Sequence, residues 1–331
     1  MKLKNHLFGI VFSIMLTAFT VYTALDTFVI ERVYETAAVA SSAKTSASAS
    51  DNAQETAEAS EAETSAGVLT AGIGKTDGQK EKQDSAAAVV SEDSYQDENI
   101  TVTLTEYREY DTTIYVADVR LSSAEYLKTA LAKNAYGKNV TAKTSDTARQ
   151  NEAILAVNGD YYGAREYGYV LRSGVLYRST AAKGQEDLVI YEDGTFEIIT
   201  ETEVSAQTLL SEGAVQILSF GPGLVIDGKI AVTSDEEVGK AMASNPRTAI
   251  GVIDELHYVF VVSDGRTDES EGLSLYQLAA FMEELGVETA YNLDGGGSST
   301  MVFNGEVVNQ PTTSGKSTKE RSVSDIVYIG Y

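Results

Sequence analysis

The sequence predicts an α+β fold, with mostly antiparallel or mixed sheets and a few packed helices, preceded by one transmembrane helix and a linker. Short runs rich in β-branched and aromatic residues recur from Ile100 to the carboxyl terminus, which marks a strand-rich body. Dipeptides that favour positive φ fall between such runs at Asp193-Gly194, Asp227-Gly228 and Asn304-Gly305, so neighbouring strands should pair antiparallel through hairpins. The chain's one membrane-length uncharged run stands apart, at the amino terminus.

Taken in order, Lys2 and Lys4 precede Leu7–Leu25, an uncharged stretch close to the ~20 residues a helix needs to cross a bilayer. Only Arg32 follows closely, so the positive-inside rule leaves the start cytoplasmic and exports everything after Ile30. Residues 1–35 thus read as a signal anchor that contacts the membrane through residues 7–30, giving a single-pass protein with its carboxyl-terminal domain outside the cytoplasm. Secretion after signal cleavage is the alternative. Ala38-Val39-Ala40 has the small residues of a cleavage site, although it lies well past the apolar run and beyond Asp26, Glu31 and Arg32. Residues 36–98 read as a disordered linker, because a text of Ala, Ser, Thr, Glu and Gln without aromatics before Tyr95 cannot bury enough apolar surface to offset its ordering entropy. Transient helix is the other reading of that composition.

The globular domain is expected at 99–331. Its strands are predicted over 100–107, 112–121, 153–158, 188–193, 196–200, 248–254, 257–264 and 324–331. One helix is signalled by a capping box from Ser274 to Gln277, a hydrophobic staple of Leu273 and Leu278, an apolar face of Leu275, Leu278, Ala279, Met282 and Leu285, and Gly286 as its stop. A second capping box, Ser122 to Glu125, predicts a helix over 125–132, and a third helix is expected over 145–151.

Composition narrows the chemistry. With 25 Lys+Arg against 49 Asp+Glu the net charge is −24, which excludes the basic footprint that nucleic acid requires. No Cys and only two His exclude zinc fingers, iron–sulfur sites, disulfide scaffolds and a Cys nucleophile. Chemistry must come from carboxylates, hydroxyls, Arg, amides and backbone. His257 and His6 are assigned to structure.

Four clusters concentrate such groups. Asp294-Gly295-Gly296-Gly297-Ser298-Ser299-Thr300 follows an apparent strand, and three glycines could turn backbone N–H groups toward an oxyanion beside three hydroxyls. It is neither a Walker loop, for want of a Lys, nor a dinucleotide fingerprint, since a strand follows; a glycine-rich hairpin without ligand is the plain alternative. Asp264 and Arg266 lie in Ser263-Asp264-Gly265-Arg266-Thr267, directly after a strand, where the Asp could serve as base or nucleophile or hold the Arg; an ordinary Asp-Gly turn reads the same. Asn245-Pro246-Arg247-Thr248 offers a guanidinium fork for phosphate or carboxylate, or a surface Arg. Asn158-Gly159-Asp160-Tyr161-Tyr162 ends another strand with amide and ring groups suited to a sugar, or with structural tyrosines. Arg321 adds a further cation before the last strand.

Together these segments resemble the phosphodiester glycosidase family. The matching text is NGDYY at 158–162, FGPGLVIDG at 220–228, NPRTAIG at 245–251, DGRT at 264–267, GLSLYQLAAFMEELG at 272–286 and NLDGGGSSTMV at 292–302, in order across residues 100–331. Where family patterns often read Asn-Gly-Gly-Phe-Phe, this chain carries Asp160, Tyr161 and Tyr162.

The resemblance implies a hydrolase that cleaves a sugar-1-phosphodiester, expected here to act on a surface glycan such as a wall or capsule polymer. Carried over, Gly295–Ser299 and Arg247, with Arg321 and Arg266, hold the phosphate, Asn158 and Asn245 line the site, and Asp264 and Asp294 are the two candidates for nucleophile or base. No cofactor or metal is required by this reading, although the acidic surplus leaves Ca²⁺ open. The alternative function is a non-catalytic module that binds glycan or phosphate through the same pocket.

Overall fold

A computed structural model of the chain describes residues 2–34, 88–234 and 244–331. An α-helix, Lys2–Phe28, comes first. From Ile10 onward its large apolar side chains, among them Ile10, Phe12, Met15 and Phe19, are exposed and do not pack into the domain core. It is the one helix among the described residues long and apolar enough to cross a membrane, over Ile10–Phe28. Most of the stretch expected as linker, residues 35–87, lies outside the described residues.

The folded body is built from antiparallel sheets, as the hairpin signals predict. The largest has nine strands, and its centre runs Thr289–Asn292, Arg247–Asp254, His257–Ser263, Thr112–Leu121, Ile100–Glu109. A five-stranded sheet is centred on Leu155–Asn158 and Asp325–Ile329, and another on Glu186–Tyr191 and Ala214–Leu218. Ile250, Phe260 and Val262 from the first, Val157, Met301 and Val327 from the second, and Leu188 and Leu218 from the third share one apolar core. On the opposite face of the large sheet, Leu278, Phe281 and Met282 of helix Leu275–Glu284 pack on Val259 and Val261. That helix has the predicted capping box: Gln277 N–H donates to Ser274 Oγ, and Ser274 N–H donates to Gln277 Oε1.

Two of the three expected two-residue turns are present; Asp193-Gly194 instead lies in a longer connection, with Tyr191 N–H donating to Thr195 O and only Gly194 at positive φ. Asp227-Gly228 and Asn304-Gly305 each form a two-residue hairpin with both residues at positive φ, between the pairs Ile226↔Lys229 and Phe303↔Glu306. The third expected helix is present as Thr144–Gln150.

Two expectations are corrected. The helix predicted over 125–132 is only a 3₁₀ turn, Ala124–Tyr126, and Leu127–Leu131 is a strand paired with Asp325–Ile329. Long-range pairing at the sheet edge outweighs the local capping signal, which Ser123 satisfies by accepting from Glu125 N–H. The globular body also begins before Asn99: Val89–Val90 and Ser94–Gln96 extend the large sheet beyond Ile100–Glu109.

Candidate active site

Three adjacent strands of the large sheet end together. Arg247 opens its strand opposite Ser263, the last residue of the neighbouring strand, and Asn292 closes the strand on the other side. Segments leaving these ends form a cleft of about 170 Å³. Its charged wall is Arg247, Arg266, Arg321 and Asp294; Asn245, Gly295 and Gly296 continue it, and Phe220 and Leu293 are its apolar part.

Each guanidinium is held differently. Arg247 is buried, its Nε donating to Leu273 O at 2.8 Å and its backbone N–H to Ser263 Oγ at 3.0 Å. Arg266 donates through Nε and Nη2 to Asn245 Oδ1, at 3.1 and 2.8 Å, and through Nη1 to Thr313 O at 2.7 Å. Partial burial, and then the charge of Arg321, hold the Arg266 guanidinium below its usual pKa. Two cations kept side by side against their repulsion favour an anion between them.

Asp294 follows its strand by two residues and faces this wall. Burial pushes its carboxyl up to about 6, while the Ser298 hydroxyl, Arg321 and the Gly295 N–H favour the ionised form and limit the rise. A carboxylate titrating near neutrality beside fixed cations is poised for proton or nucleophilic chemistry.

The triple-glycine loop works otherwise than its sequence suggests. Gly296 N–H donates to Pro246 O, Ser298 and Ser299 N–H close a 3₁₀ turn on Gly295 and Gly296, and Thr300 N–H donates to Asn158 Oδ1. These four donors are committed to the protein and are not available to an oxyanion. The glycines instead admit the arginines. A Cβ on Gly296 would lie 2.8 Å from Arg266 Nη2, and one on Gly297 would lie 2.8 Å from Arg321 Nη2. Ser298 Oγ accepts from Arg321 Nη1 at 3.4 Å, and Ser299 is buried behind the loop, its carbonyl accepting from Asn309 Nδ2.

Asn158 is fully buried and does not line the cleft. Its Nδ2 donates to Asp294 O at 2.6 Å, and its Oδ1 accepts from Thr248 Oγ1 and Thr300 N–H, so it fixes the backbone on both sides of the glycines. Asp264 is likewise outside the cleft wall. Its Oδ1 accepts from Gln310 N–H at 2.8 Å and Asn309 Nδ2 at 3.2 Å, and its Oδ2 from Tyr115 Oη at 3.4 Å. Burial raises its pKa and these three bonds oppose the rise. The single cleft expected to hold both carboxylates therefore contains Asp294 alone, because Asp264 turns away to anchor the 309–310 segment.

Asp160, the departure from the family pattern, is buried in an ion cluster: Arg172 Nη2 donates to Asp160 Oδ2 at 2.8 Å and to Asp325 Oδ2 at 2.7 Å. Tyr162 stacks inside the protein, whereas Tyr161 is exposed. His257 lies at the opposite end of its strand from Ser263, with Nε2 2.8 Å from Asp118 Oδ2. Phe220 and Leu293 line the cleft and Thr313 holds Arg266 from behind, roles that residue type does not signal; FGPG at 220–223 is the sequence cue for the first. Among the described residues, no group of three or more His, Cys, Asp or Glu is placed to hold a metal ion.

A sheet-built body that gathers three arginines and a carboxylate at its strand ends presents a cleft suited to an anionic ligand. The phosphodiester glycosidase family model matches residues 151–330, and the chain belongs to that family. Among its relatives, an uncharacterized SPbeta prophage-derived protein of Bacillus subtilis (strain 168) is 31% identical over 191 residues, covering 56% of this chain and 29% of that protein. The N-acetylglucosamine-1-phosphodiester alpha-N-acetylglucosaminidase of Mus musculus is 31% identical over 188 residues, covering 52% of this chain and 36% of the enzyme. The chain thus spans about a third of the length of these curated relatives. In fold it resembles the zebrafish N-acetylglucosamine-1-phosphodiester alpha-N-acetylglucosaminidase catalytic domain auto-inhibited by pro-peptide, with a TM-score of 0.56 at 22% identity, over 70% of this chain and 83% of that one.

Proposed function

We propose that this protein is an extracytoplasmic, membrane-anchored hydrolase that cleaves the bond between a sugar and a phosphodiester. The observation that carries the reading is the meeting of Arg247, Arg266 and Arg321 with Asp294 in one cleft. The guanidiniums hold the phosphodiester oxygens, and the apolar wall of Phe220 and Leu293 limits water. As the C1–O bond breaks, negative charge grows on the departing phosphate, where each oriented donor is worth ~2.7–4 kcal/mol. A phosphate monoester is a weak base, so departure needs charge stabilisation more than a proton. Ionised Asp294 meets the positive charge developing at the anomeric carbon, or directs the water that attacks it. Asp264 and Asn158 act as positioning residues. Names of the vertebrate relatives supply the first substrate to try, an α-linked N-acetylglucosamine-1-phosphodiester.

The test is release of free N-acetylglucosamine from UDP-N-acetylglucosamine by the full chain in detergent. The wild type releases the sugar, and Asp294→Asn binds the nucleotide sugar without releasing it. Binding without release by the wild type would make the chain a glycan-phosphate-binding module, and undiminished turnover by Asp294→Asn would remove that carboxylate from the mechanism.

A further inference from the structure

The residues just after the long helix are part of the folded domain. Arg32–Val33 pairs antiparallel with Gly137–Lys138, Tyr34 N–H donates to Tyr136 O, and Lys133 Nζ forms an ion pair with Glu31. Gly137 is the seat of this strap: any Cβ there would fall inside the van der Waals envelope of the Arg32 carbonyl oxygen. Asn139, itself at positive φ, donates from Nδ2 to Thr27 O at 3.2 Å and Ile30 O at 3.1 Å. The last carbonyls of a helix have no partners within it, so here the domain supplies the cap. Tyr34 then begins a ring series, 5.8 Å from Tyr136, which stacks on Tyr162 at 5.3 Å. Tyr162 lies in the segment that follows Asn158, the strand-end residue that fixes Asp294.

We propose that Glu31–Tyr34 remains a strand of the domain in the mature protein and pins the domain against the outer face of the bilayer, so that its substrate is a sugar phosphodiester attached to that surface. Asn139 contacts the backbone of Thr27, inside the apolar span Ile10–Phe28, so the domain surface must lie at the level of the headgroups. Arg32, Lys133 and Lys138 at this contact are each ion-paired, with Asp26, Glu31 and Glu166, so the pinning rests on the strand pairing and the Asn139 contacts, not on net charge. Cleavage after Ala40 would remove the strand and leave the Gly137 seat and the Asn139 amide without the groups they fit. The substrate clause rests on the hydrolase reading; the pinning does not.

The chain has no Cys, so Tyr167→Cys, at an exposed position beside the Tyr34-lined cavity, gives a unique fluorophore site in the full-length protein. Energy transfer from this site to a headgroup-labelled lipid in anionic vesicles is expected to be strong. It should be lost in Gly137→Val, and also in the strap-side pair Glu31→Lys with Tyr34→Ala, whose exposed positions leave the domain core intact. Equal transfer in all three chains, weak transfer in the unaltered strap, or an amino terminus removed beyond Tyr34 by mass spectrometry would overturn the pinning. Hydrolysis of a lipid-anchored glycosyl phosphodiester should fall in the strap variants while that of a water-soluble one stays constant. Equal behaviour toward both would overturn the substrate clause, and hydrolysis of neither would overturn the hydrolase reading and that clause with it, with the transfer result still deciding the pinning.

Discussion

Replacing Asp294 by Asn should abolish turnover and at the same time stabilise the protein, by an amount that grows with pH. In the folded state burial pushes this carboxyl from the ordinary 3.8 up to about 6. Between those values the native chain binds a proton that the unfolded chain releases, so stability falls as pH rises through the window and stays lower above it. At ~1.4 kcal/mol for each tenfold change in proton affinity the full penalty is about 3 kcal/mol, an upper limit because the cleft is open to water. Asn carries no charge and escapes it. The sequence pI of about 4.4 keeps the assay at pH 5 and above, where about half of the penalty already applies. Urea unfolding followed by circular dichroism should therefore show the Asn variant more stable than the wild type, with the gap widening by roughly 1 kcal/mol between pH 5 and pH 8. A gap that is constant with pH, or an Asn variant that keeps its turnover, would refute the assignment of Asp294 as the buried charge on which catalysis depends.

The same geometry sets three further outcomes. Arg172→Met strands the buried carboxylates of Asp160 and Asp325 and should cost ~3–5 kcal/mol of stability, read as a lower urea midpoint. Gly297→Ala places a methyl group first against Thr313 Oγ1 and then 2.8 Å from Arg321 Nη2, and should weaken phosphodiester binding at least tenfold, about 1.4 kcal/mol, while the far-ultraviolet spectrum is unchanged. Asp264→Asn keeps an Oδ1 for Gln310 N–H and Asn309 Nδ2 but loses the Oδ2 acceptor that faces Tyr115 Oη, and should cost ~0.5–1.5 kcal/mol of stability, yet retain measurable hydrolysis where Asp294→Asn retains none; loss of all hydrolysis with stability intact would return Asp264 to the chemistry.

What could be read in the sequence was what local pattern determines. The helix from Leu275 follows from its cap, staple and apolar spacing, and the Asn304-Gly305 hairpin from the positive φ its residues tolerate. Arg247, Arg266, Arg321 and Asp294 could be singled out by residue type at strand ends, and they do share a cleft. Partners chosen by distant chain could not be read. Leu127–Leu131 carries a helix-start signal and becomes a strand because Asp325–Ile329 lies beside it. Asp264 stands as well as Asp294 on residue type, but its direction is set by Gln310 and Asn309 on a later loop.

The glycine loop shows how one motif can serve a cleft through packing. Glycine is needed there because a Cβ at 296 or 297 would crowd the Arg266 and Arg321 guanidiniums. Pro246, one residue before Arg247, takes the Gly296 N–H, which ties the loop carrying Asp294 to the segment carrying the buried cation. Asn158 ties the same loop from the other side, through the Asp294 carbonyl. Charge and carboxylate are thus held at fixed separation by backbone that cannot relax independently, and the rise in the Asp294 pKa is sustained by that rigidity: a loop free to move would turn its carboxylate to water and lose both the penalty and the reactivity.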